Sequence, residues 1–173
     1  MIYELKKYGD PILREKSSEV EIIDDSIQEI LNNMVETMYE KKGVGLAAPQ
    51  IGINKRIFVC DWSGEGEALR KVINPVLTPL TDELIDWEEG CLSVPGIYKK
   101  VERPKKIRVE YLNENGEKVC EELEGFPAIV MQHEFDHLDA VLFIDRVSPM
   151  AKRMINKKLQ ALKKETLKTL TQE

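Results

Sequence analysis

The chain has 173 residues, 42% of them apolar and 32% charged, with 25 Lys and Arg against 31 Asp and Glu for a formal charge of −6. This is the balance of one full-sized soluble domain: no apolar run approaches the roughly 18 residues of a membrane helix, and the N-terminal MIYELKKYGDPILREK lacks the apolar core of an export signal. Cys60, Cys91 and Cys120 are too few for a disulfide framework and suit a reducing cytoplasm, where a special cysteine serves as ligand or nucleophile.

Residues 1–24 read as loop, broken at Gly9-Asp10-Pro11 and Ser17-Ser18. Ile27, Ile30, Leu31, Met34, Met38 and Tyr39 then recur with helical period, which predicts a helix over 26–42 capped by Asp24 or Asp25 and stopped by Gly43. GVGLAAPQIG (43–52) holds three glycines and a proline and predicts a loop that approaches something closely, not a regular element. A buried strand is expected over 56–62, with short strands at 72–74 and 76–77. Residues 107–113 and 118–123 flank Glu114-Asn115-Gly116 and predict a hairpin. Gly125-Phe126-Pro127 opens a helix over 128–138, and a last helix over 150–170 carries a stripe of Met150, Met154, Ile155, Leu159 and Leu162. The fold class is therefore α+β: short antiparallel sheets around a central helix, with an N-terminal and a C-terminal helix. No linker divides the chain, so 1–148 is the body and 149–173 a helix of the same domain. That helix segment carries a net charge of +5 and the first 148 residues −11, so the two ends suit different partners.

The only two histidines are His133 and His137, in QHEFDHL. Four residues is just over one helical turn, so both imidazoles leave one helix face and can share a metal. Glu134 sits about 100° around the axis, where its carboxylate can reach a metal-bound water without ligating, as a general base does. A catalytic metal normally has three protein ligands, and no H-x-x-G-x-x-H continuation is present. The best third ligand is Cys91, between Gly90 and a Ser-x-Pro-Gly turn, on backbone expected to be irregular; Cys60 and Cys120 lie within strands and read as packed thiols. A Cys–His–His set suits Zn²⁺, Fe²⁺, Co²⁺ or Ni²⁺.

GVGLAAPQIG (43–52), EGCLSVPG (89–96) and QHEFDHLDA (132–140) together resemble the three motifs of the peptide deformylases, in that family's order and spacing and over nearly the whole chain, most like the bacterial type 1 group. The resemblance implies removal of the formyl group from the initiator methionine of nascent chains. It implies metal binding by Cys91, His133 and His137, with Fe²⁺ as the physiological ion. It makes Glu134 the catalytic carboxylate, with Gln50 and the N–H of Leu92 holding the oxyanion. Where the family usually has Gly, this chain has Ala140, which costs on the order of 1 kcal/mol if that position needs φ > 0.

A methionine side chain needs an apolar pocket, and Val44, Phe126, Ile129 and Val130 lie close in sequence to the loop or the metal helix. Gly45 would let substrate backbone lie against the loop as an added strand. The partners expected are nascent formyl-methionyl polypeptides and, through the basic last helix, ribosomal RNA, with no DNA and no membrane. Three rival readings remain: a zinc endopeptidase on the same helix, a cysteine hydrolase with Cys91 as nucleophile, and a noncatalytic module with a structural metal.

Overall fold

The computed structural model describes residues 1–172. After an irregular start with one 3-10 turn at Pro11–Arg14, helix α1 spans Asp25–Glu40. Asp24 caps it, its carboxylate accepting from the N–H groups of Ser26 and Ile27. The expected stop at Gly43 is displaced by one residue: Lys42 takes the left-handed conformation, φ 58°, and Gly43 N–H reaches back to Met38 O.

The glycine-rich segment is more regular than expected. It forms a three-residue strand β1, Gly45–Ala47, and a 3-10 turn, Ala48–Ile51, because residues 45–47 pair with β2, Ile57–Cys60. The two short strands expected at 72–77 are one strand, β3, Arg70–Pro79. It is interrupted by a bulge at Asn74, φ 52°, whose amide exchanges two hydrogen bonds with the Val20 backbone. The hairpin is present as β6, Lys106–Leu112, and β7, Lys118–Glu124. These five strands form one antiparallel sheet in the order β1-β2-β3-β6-β7.

A second, two-stranded sheet escapes the periodicity. Strands β4, Leu84–Cys91, and β5, Val94–Pro104, pair Glu88 with Lys100 and Glu89 with Lys99, so charges occupy positions where an apolar alternation would show. Helix α2, Phe126–Leu138, packs on the face of the large sheet opposite α1, against Ala47, Phe58, Cys60 and Val72, and also touches β5 of the small sheet. Three-helix α+β architecture is thus borne out.

Helix α3, Pro149–Thr171, lies on β5 through Ile155, Leu159 and Leu162. The expected stripe is shorter than its sequence pattern: Met150 and Met154 are each 66% exposed, because only the helix's middle turns meet the body. Cys60 is buried as expected, but Cys120 is exposed, on the outer strand β7.

Candidate active site

Cys91 does not lie on irregular backbone. It is the last residue of β4, opposite Val94 across the two-residue turn Leu92-Ser93, with a register shift between Glu89 and Cys91. The tight turn and shift serve the purpose expected of a loop, aiming the sulfur at α2. There the ligating atoms of Cys91, His133 and His137 all lie within 4.8 Å of one another.

The Cys91 Sγ to His137 Nε2 distance is 3.4 Å. Tetrahedral bond lengths of a Zn²⁺-like ion put sulfur and nitrogen ligands roughly 3.6 Å apart, so the donor set fits such a cation. The nitrogen of His133 that remains free is fixed by its neighbour: Nδ1 is 2.9 Å from Glu89 Oε1, leaving Nε2 for the cluster. Burial, with the His133 charge beside it, lowers the His137 pKa well below the ordinary value and keeps that ring neutral, as a ligand must be. Burial works the same way on His133, but Cys91 and Glu89 outweigh it and raise that pKa.

Four residues that periodicity could not find hold this arrangement. Glu89 accepts two hydrogen bonds from Arg103, at 2.6 and 2.9 Å. Arg103 donates to Asp136, and Arg146 grips the same carboxylate at 2.6 and 2.9 Å. Glu89, Arg103 and Asp136 are buried, so the chain His133–Glu89–Arg103–Asp136–Arg146 is a charge-balanced ionic string that fixes one ring. Its only sequence signal was that Glu89 and Asp136 stand inside the two motifs carrying the ligands.

Glu134 is 4% exposed, and its Oε2 has no hydrogen-bond partner among the described residues. Burial pushes its carboxyl pKa up to about 7, with the Glu89 and Asp136 charges adding to the rise against His133 and Arg103. Such a group can take and return a proton at neutral pH. Gln50 is oriented at both ends: Oε1 accepts from Ala47 N–H at 2.9 Å, and Nε2 donates to Ser93 Oγ at 3.1 Å while lying 3.5 Å from Cys91 Sγ. Its amide donor therefore faces the cluster.

Gly45 is needed for a reason beyond the one expected. A Cβ there would overlap Glu134, lying 2.6 Å from Cδ and 2.7 Å from Cγ. The glycine lets the carboxylate lie against β1.

These groups open into a cavity of about 780 Å³. Its wall includes Val44, Gly45, Gln50, Cys91, Leu92, Phe126, Ile129, Val130, His133 and Glu134, so every residue assigned from the sequence except the deeper His137 meets it. Ile129 and Val130 are buried and Val44 is 39% exposed, which places Val44 at the rim. Trp87, not foreseen, packs against Phe126 in a tilted pair, ring centroids 5.0 Å apart and planes 35° to each other, and Tyr98 stands beside Gly90, where no Cβ would fit. Lys7 reaches in from the N-terminal segment and donates to Leu92 O at 3.2 Å.

The family model for polypeptide deformylase matches residues 2–153. The chain is 61% identical over 168 residues to a peptide deformylase of Fusobacterium nucleatum, covering 96% of this chain and 95% of that one. It is 48% identical over 158 residues to that of Thermotoga maritima, covering 91% and 94%. The Thermotoga maritima crystal structure superposes with a TM-score of 0.82, covering 86% of this chain and 99% of that one. A plant peptide deformylase, 36% identical, superposes with a TM-score of 0.93 over 96% and 92%.

Proposed function

This chain belongs to the polypeptide deformylase family and removes the N-formyl group from the N-terminal methionine of new proteins, and we propose that the cavity between α2, β1 and β4 is where it does so. The observation that carries the assignment is the meeting of Cys91, His133 and His137 within 4.8 Å, beside a buried carboxylate.

Cys91, His133 and His137 hold one metal ion, Fe²⁺, with Zn²⁺, Ni²⁺ or Co²⁺ as substitutes. When bound, the ion supplies a Lewis acid that polarises the formyl oxygen and lowers the pKa of water toward 7. Glu134 accepts the proton of the attacking water and delivers it to the departing amine, as its pKa near 7 suits. Gln50 Nε2 and the Leu92 N–H donate to the developing oxyanion; losing one such donor typically costs about 10²–10³ in rate. Gln50 does this without adding charge. Val44, Phe126, Ile129 and Val130 receive the methionine side chain, while the polypeptide leaves along Gly45.

No helix of the described residues is long and apolar enough to cross a membrane. The enzyme works in the cytoplasm as one domain, residues 1–148 forming the catalytic body and α3 its docking helix. The exposed lysines of α3 meet ribosomal RNA where nascent chains emerge. Deleting residues 152–173 should abolish ribosome pelleting at low salt, and pelleting that ignores the deletion counts against this.

Metal analysis paired with formate release from formyl-Met peptide tests the assignment. Glu134→Ala is expected to retain metal and lose turnover, and Cys91→Ala to lose both. A Cys91→Ala protein with full metal and full activity would overturn it. Activity that survives chelation with a covalent adduct on Cys91 would support the cysteine hydrolase instead, and internal cleavage of an unformylated protein the endopeptidase.

A further inference from the structure

The mouth of the cavity is uneven in charge. On the α1 side its wall includes Lys7, Lys41 and Lys42. Among the described residues none of the three makes an ion pair. Lys41 and Lys42 are exposed and Lys7 is half-buried. Four carboxylates share the wall, but Glu89 and Glu134 are buried at its deep end, Glu89 against Arg103, and at the mouth Glu88 stands opposite Lys100 in the β4–β5 register, which leaves Glu4. The C-terminus of α1 carries about half a negative charge, which favours lysines there without neutralising three of them.

The path of a bound chain brings it past this edge. Strand β1 is at the free edge of the large sheet, and Gly45 lies against Glu134. A formyl carbon at Glu134 with the polypeptide extended along residues 44 and 43 reaches Lys42 after roughly 10 Å, about three residues at strand spacing. We propose that Lys7, Lys41 and Lys42 form a cationic collar that selects acidic side chains at the second to fourth positions of the formylated chain.

The collar rests on the cavity being the deformylation site. The amine of Lys7 is also held by Leu92 O, so its charge is fixed at the mouth instead of swinging into solvent. Its pKa is lowered by burial and then by the Lys41 charge, with Cys91 acting the other way, so the two lysines that line this edge feel each other's charge.

The test compares kcat/KM for formyl-Met-Glu-Glu-Ala, formyl-Met-Lys-Lys-Ala and the neutral formyl-Met-Ala-Ala-Ala, each rate divided by the same protein's rate on the neutral peptide. Exposed pairs contribute a few-fold each, so the acidic peptide should exceed the basic one about tenfold at low salt, mostly through KM. The ratio should shrink to about twofold in 0.5 M NaCl, where screening acts within roughly 4 Å. In Lys41→Glu/Lys42→Glu it should invert; Lys41→Gln/Lys42→Gln, milder for folding, should reduce it at least threefold. Equal wild-type rates for the two charged peptides, or a ratio unmoved in both variants, would overturn the collar. Failure to release formate even from the neutral peptide would overturn the site reading instead.

Discussion

Gly45 and Glu134 share one space: a Cβ on the first would come within 2.6 Å of the carboxyl carbon of the second. The β1 backbone and the α2 carboxylate are therefore fitted to each other, and the carboxylate cannot keep its place if β1 gains a methyl group. Gly45→Ala should lower kcat about 10²-fold, because a displacement near 1 Å costs that much at a catalytic group. KM, fold and metal content should change little. Steady-state formate release with a metal assay checks this, and near-wild-type kcat would show that Glu134 has room to move.

Glu89 spans the two imperatives of the metal cluster, orienting His133 and neutralising Arg103. Glu89→Gln should weaken metal affinity by about 10–100-fold, the usual loss when a ligand's outer partner is changed. Competition with a chelator in the folded protein measures it. An unchanged affinity would mean that the hairpin and helix alone hold the ring.

Ala140 has φ 64°, the conformation that a side chain disfavours and glycine tolerates. Ala140→Gly should raise stability by about 0.5–1 kcal/mol, read as a higher denaturation midpoint at unchanged m-value, with activity unaltered. A loss of stability would show that local contacts of the methyl outweigh the backbone strain.

Asp61 governs part of the acid stability. Burial pushes its pKa up, but donors from Ser63, Tyr39 and the Gly66 backbone hold it down to about 2. Its folded pKa lies below the ordinary 3.8, so its contribution is complete above pH 4 and is lost as pH falls through 2. Asp61→Asn should be less stable at pH 7 yet lose less stability between pH 5 and pH 2.5 than the wild type. Parallel urea midpoints for both proteins across that range would refute the assignment.

The iron-loaded enzyme should lose activity in air as its thiolate and ferrous ion oxidise, whereas the nickel form should persist. Equal half-lives of the two forms, measured aerobically, would refute this.

The sequence makes legible those elements whose side chains repeat with one period and one burial face. Helix α1 and the β6–β7 hairpin are of this kind, whereas α2 is buried on nearly every face and is legible through its Gly125-Phe126-Pro127 opening and its histidine pair. The β4–β5 hairpin is not, because Glu88, Glu89, Lys99 and Lys100 stand in its ladder, and two of its buried groups, Glu89 and Arg103, are charged. Periodicity reads buried charge as surface. The flanking glycine points to Cys91, and strand geometry rather than a loop brings its sulfur to the two histidines. Met150 and Met154 follow a helical stripe yet face solvent, since a stripe states which face is apolar and not how far its docking surface extends. Lys7 was out of reach for a simpler reason: 85 residues separate it from Leu92, and no local pattern encodes that meeting.

The same long separations bear on how this enzyme comes into being. Cys91 and His137 stand 46 positions apart on different elements, and Gln50 lies 41 before Cys91. On the proposed ligand set, the molecule emerging from its own ribosome lacks a complete set of donors until His137 has cleared the exit, so its maturation waits on most of the polypeptide. A truncated product ending before residue 137 would be inert, and the first formyl group this newly made catalyst could remove in its own cell would be one that older copies had the chance to reach first.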